Sequence, residues 1–97
     1  MSIAKRIVDR IESRGYEVLG IFEMSPTHVT HSIVWVSLNP GEVKNLYNGM
    51  NYCTWECTQD GCTFWGHYFE GFNDSAKNFV ERISNITGQQ LAQEEGL

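Results

Sequence analysis

The stretch from Met50 to Phe72 constrains this chain most. It holds all three cysteines (Cys53, Cys57, Cys62) and two of the three tryptophans (Trp55, Trp65). Two β-prone runs flank Thr58-Gln59-Asp60-Gly61, and Asp-Gly between such runs is a strong hairpin signal. Side chains alternate across a strand. A two-residue turn at Asp60-Gly61 and a four-residue loop from Thr58 to Gly61 both pair the same parity. Cys53, Trp55 and Cys57 are therefore expected to share a face with Cys62, Phe64, Gly66 and Tyr68. The opposite face carries Tyr52, Thr54, Glu56, Thr63, Trp65, His67 and Phe69. The cysteine face has no charge and is expected to be core. The other is too aromatic for a plain solvated surface.

The flanking sequence supplies the remaining elements. Ile3, Ala4, Ile7, Val8 and Ile11 recur at helical spacing, so a helix is expected from Ser2 to Arg14, capped by Ser2 and stopped by Gly15. Arg6, Arg10 and Arg14 flank that stripe, either as a solvated edge or as a basic ridge for an acidic partner. Tyr16 to Met24 and Val29 to Leu38 read as strands, separated by a turn at Ser25-Pro26-Thr27. Residues 42–48 read as a short helical turn or an irregular connection. A second helix is expected from Asp74 to Thr87, with Ala76, Phe79, Val80, Ile83 and Ile86 as its apolar stripe. Residues 1–88 then form one α+β domain, followed by a polar tail over 89–97. The order α-β-β-β-β-α predicts an antiparallel four-stranded meander with both amphipathic helices packed on one face. The other face is left for water, a second copy or a partner.

Ninety-seven residues suffice for one small core, burying roughly 65% of the unfolded surface. No apolar run is long enough to span a membrane. The chain starts on a charged helical pattern rather than a signal peptide, so a cytoplasmic location is expected. Net charge is −5. Residues 1–14 carry +2, and the remaining residues carry −7, with three basic side chains against ten acidic ones. Such a body disfavours direct nucleic-acid binding, which needs lysine and arginine to displace counterions. It suits a protein partner with a basic surface.

Several chemistries can be weighed on residue types. Cys53, Cys57, Cys62 and His67 are zinc-ligand types, but no two cysteines are two residues apart and His67 falls on the opposite face. Cys57 and Cys62 would be opposed only in a four-residue loop, the one arrangement that would let them form a disulfide. No nucleophile motif or phosphate loop is present, and Glu56 with His67 reads as a surface pair on an open sheet. No enzyme, metal or cofactor is expected. Tyrosine, tryptophan and histidine beside a few acids are instead typical of protein interfaces. The expected protein-binding residues are Tyr52, Glu56, Trp65, His67 and Phe69.

In size, acidity and absence of a cofactor motif, the whole chain resembles the small accessory proteins of phages and mobile elements, a group that includes anti-CRISPR and other anti-defence inhibitors. Bacterial immunity proteins are of the same kind. The resemblance carries no individual residue. It implies a non-enzymatic inhibitor or adaptor of a host nucleic-acid-processing or defence enzyme. The alternatives are a regulatory or structural homodimer built on the open sheet face, and a cysteine-based metal- or redox-responsive protein.

Overall fold

A computed structural model describes residues 2–24, 31–38 and 49–95, with side chains through residue 85. Helix α1 (Ile3–Glu12) starts where the sequence places it. The Ser2 hydroxyl accepts a hydrogen bond from the Lys5 amide at 3.1 Å, and the chain turns away at Gly15 with φ 97°. Strands β1 (Glu17–Glu23), β2 (Ser32–Ser37), β3 (Tyr52–Cys57) and β4 (Thr63–Phe69) follow, then helix α2 (Phe72–Glu95). Neighbouring strands pair antiparallel in the order β1-β2-β3-β4, which is the expected α+β meander. The expected turn at Ser25-Pro26-Thr27 and the connection over 42–48 lie outside the described residues. Among the described residues no helix is long and apolar enough to cross a membrane.

The helices do not share a face of the sheet. Ile7 and Ile11 of α1 are wholly buried against Val34, Val36, Leu38, Cys53, Trp55 and Cys57, with Ile3, Tyr16, Val18 and Ile21 packed around them. Each wholly buried isoleucine or valine contributes roughly 1.5–3 kcal/mol by leaving water. Trp35 and Thr54 pair across β2 and β3 and point the other way, where α2 meets them. The Trp35 ring lies 5.0 Å from Phe72 and 5.7 Å from Phe79, and its indole donates to Ser75 Oγ at 2.9 Å. The expectation of two helices on one face is therefore corrected to one on each. The physical reason is β2. Ile33, Val34 and Val36 are wholly buried and Trp35 is half-buried, so this strand is apolar on both faces and needs cover on both.

Helix α2 also departs from its expected bounds and orientation. It begins two residues before Asp74 and continues through residues 89–95, which the sequence assigned to a tail. Gln89, Gln90, Leu91 and Ala92 are good helix formers, and one glycine at 88 costs only about 1 kcal/mol. Its sheet-facing side runs through Phe72, Ser75, Asn78, Phe79 and Arg82. Val80, expected in the apolar stripe, is exposed. Polar groups on the sheet (the Trp35 indole, the Thr54 hydroxyl and the Trp65 carbonyl) draw the polar side of the helix inward.

Candidate protein interface on strand β4

The site is built by two irregularities in one hairpin. The loop has three residues, Gln59-Asp60-Gly61, rather than two or four. The Thr58 amide donates to the Cys62 carbonyl at 3.0 Å, and the Gly61 amide donates to the Thr58 carbonyl at 3.0 Å. Gly61 closes the loop at φ 84°, a conformation suited to glycine. This loop shifts the register by one. Cys57 opposes Thr63 and Glu56 opposes Phe64, so Phe64 leaves the cysteine face on which the sequence placed it. Cys57 and Cys62 are not opposed either, which removes the arrangement that would have bridged them. Both are free thiols, Cys57 buried and Cys62 exposed.

A β-bulge then restores the register. Trp65 and Gly66 together oppose the single residue Trp55, and beyond them Thr54 faces His67, Cys53 faces Tyr68 and Tyr52 faces Phe69. Trp65 adopts φ 53°, in the left-handed region where a non-glycine residue costs about 1–2 kcal/mol. Gly66 is tied to the other side of the bulge. A Cβ there would sit 2.7 Å from Trp55 Nε1 and 3.0 Å from the Tyr68 ring. The bulge thus gives the close approach to the glycine and the strained backbone to the tryptophan. The Trp65 side chain is 70% exposed, touching Phe64 edge-on at 5.2 Å.

Arg82 ties this bulge to α2. Its Nη2 donates to the Trp65 carbonyl at 2.5 Å and its Nη1 to Thr54 Oγ1 at 3.3 Å. The Thr54 hydroxyl donates to Asn78 Oδ1 at 2.6 Å. Burial draws the Arg82 pKa downward, while the nearby Glu56 carboxylate and Cys53 act in the opposite sense.

The five residues expected from the sequence fall into two groups. Trp65 and His67 are exposed on β4, an edge strand of the sheet. Tyr52, Glu56 and Phe69 share the α2 face and are half-buried, with the Tyr52 ring 5.6 Å from Phe72. The face is therefore no open platform, because the N-terminal half of α2 lies on it. Tyr68, 49% exposed, and Phe72, 48% exposed, add aromatic surface that the sequence reading did not include. Arg82 was missed as well. Its position four residues after Asn78, on the same side of a helix, was the available signal.

Cys53, Cys57 and Ser32 are closed off from solvent. Burial pushes the Cys53 thiol up to about 12 and the Cys57 thiol to about 11, the wrong direction for a nucleophile. His31 Nδ1 lies 2.6 Å from Ser32 Oγ and its Nε2 lies 3.9 Å from Glu23 Oε1, but Ser32 is wholly buried and out of reach of a substrate. Among the described residues no group of three or more His, Cys, Asp or Glu side chains converges on a metal position. On α1, the Arg14 guanidinium donates to the Gly61 carbonyl at 2.9 Å, and the Arg10 methylenes lie against Gly61. These two arginines brace the hairpin loop, beside an open cleft of about 290 Å³ that Ser13 and Cys62 also line.

Compared with known proteins, the chain matches no family model, no curated protein and no solved structure.

Proposed function

We propose that this chain is a small acidic, non-enzymatic protein-binding domain that docks through Trp65. The observation carrying this reading is a tryptophan 70% exposed on a strained backbone at φ 53°. Strained, non-glycine positions cluster at ligand clamps and binding sites, and tryptophan leads the residues that anchor interfaces. His67 adds exposed surface along β4 on the α2 face and Tyr68 on the opposite face, and Tyr52, Glu56 and Phe69 lie half-buried on the α2 face. The bulge also interrupts the sheet edge, so docking through side chains is favoured over strand addition. The acidic body suits a partner with a basic surface. An inhibitor or adaptor of a nucleic-acid-processing or defence enzyme fits that charge, since such enzymes carry basic grooves.

The test compares immobilised wild type with Trp65→Ala, His67→Ala and Val80→Ser for capture of such an enzyme from host lysates. Affinity and the effect on nucleic-acid turnover are then measured on the purified pair. Trp65→Ala should lose about 2 kcal/mol, roughly thirtyfold in affinity, while Val80→Ser binds normally. Equal capture by wild type and Trp65→Ala would remove Trp65 from the interface. A mass that doubles with concentration, and no longer does so in Trp65→Ala, would make the site one for self-association.

A further inference from the structure

We infer that Arg82 is the positioning residue of the Trp65 site, its guanidinium holding the bulge that turns the indole out to solvent. The inference deepens the reading of Trp65 as a docking side chain and rests on it for its use, but not for its test. A bulge disrupts the local strand ladder, and its backbone needs partners from outside the sheet. Here the Trp65 carbonyl takes its hydrogen bond from Arg82 Nη2 at 2.5 Å. The other end of the same guanidinium donates to Thr54 Oγ1 at 3.3 Å, on the residue next to Trp55, which faces the bulge. One planar group therefore spans β3 and β4 across the irregularity.

The clamp is itself held. Thr54 is wholly buried, and its hydroxyl donates to Asn78 Oδ1 at 2.6 Å, one helical turn before Arg82. Helix α2 thus carries the guanidinium and, through Asn78, also fixes Thr54, one of its two partners. A lysine ammonium is a compact point charge and lacks the fork that reaches two acceptors in set directions. The alternative is concrete. Without the bulge, continuing the Glu56–Phe64 register along β4 would set Trp65 against Trp55 and His67 against the buried Cys53. A one-residue slip exchanges the faces of every residue beyond it. Arg82 holds the register that keeps Trp65 outside and His67 off the core.

Isotope-labelled wild type, Arg82→Met and Arg82→Lys are compared by nuclear magnetic resonance. The readouts are the Trp65 φ-dependent coupling and Cα shift, the cross-strand contact between Thr54 and His67, and amide exchange along all four strands. Arg82→Met should lose the single left-handed Trp65 conformation. Exchange at residues 65–67 should rise roughly ten- to a hundredfold, the worth of one hydrogen bond to a charged group. Arg82→Lys should move the same signals in the same direction, and less. In a Trp65→Gly background, Arg82→Met should raise exchange there less than it does beside Trp65, because glycine adopts that φ without penalty and only the hydrogen bond is lost. Unchanged Trp65 signals in both Arg82 variants would overturn the inference. So would a rise spread evenly over the sheet, which marks general destabilisation. If Arg82→Met does not fold, Arg82→Lys supplies the same readout. A clamp confirmed in this way, with undiminished partner capture by Trp65→Ala, would sink the docking reading and leave the Arg82 result standing.

Discussion

Trp65 is the residue at which local preference and structure disagree. Its φ of 53° suits glycine, while its neighbour Gly66 is committed to contact with Trp55. Removing the left-handed penalty of about 1–2 kcal/mol outweighs the roughly 0.5–1 kcal/mol of extra chain entropy that glycine brings. Trp65→Gly should therefore be as stable as Trp65→Ala, or more so by up to about 1 kcal/mol, in urea melts. At an ordinary strand position alanine wins, and a clear advantage for alanine here would refute the strained backbone. The cysteines give a second residue-scale prediction. A thiol-specific reagent should modify Cys62 alone in the native protein and all three thiols after unfolding, because Cys53 and Cys57 are buried. Their pKa values of about 12 and 11 lie above the ordinary 9.0. Native-state preference from such thiols is complete below about pH 9 and is lost as pH rises towards 11–12. The melting temperature should fall across that window, and Cys53→Ala should flatten the fall.

At the scale of elements, α1 was legible in the sequence and α2 only partly so. The Ile7 and Ile11 stripe reads directly at 3.6-residue spacing, and either residue changed to alanine should cost about 2–5 kcal/mol by thermal melt. On α2 the same rule selected Val80, which is exposed, because periodicity counts apolar side chains and this interface also uses Ser75, Asn78 and Arg82. Thr54→Val should accordingly destabilise by about 1–3 kcal/mol, since it leaves Asn78 and Arg82 short of a partner. Val80→Ser should stay within about 0.5 kcal/mol. The hairpin shows the same limit. Asp60-Gly61 announced a turn, but loop length sets register. The three-residue loop and the Trp65-Gly66 bulge each shift it by one. Their shifts cancel, so His67 and Phe69 land on the expected face while Phe64 does not.

Taken whole, the molecule has an acidic body braced at one end by basic α1, and a sheet covered on each face by one helix. The two hairpin tryptophans should give opposite phenotypes. Trp55→Ala, at a position 7% exposed, should lose about 3–5 kcal/mol and approach unfolding in a domain whose total is about 5–15 kcal/mol. Trp65→Ala should melt close to wild type and lose its partner. Association with a basic partner should slow as salt rises, because exposed charges are screened over about 10 Å at 0.1 M, and a salt-independent rate would remove the acidic surface from the mechanism. The sequence by itself determined the element order, the antiparallel meander, the α1 stripe and the burial of Trp55, Cys53 and Cys57. Those follow from local periodicity, caps and turn chemistry, which act over a few residues. Only the tertiary structure decided that the helices take opposite faces and that Phe64 changes sides. It alone decided that Arg82 reaches Trp65 across seventeen positions of chain. These depend on register and on which buried polar groups find partners, and both are settled only when the strands and α2 meet.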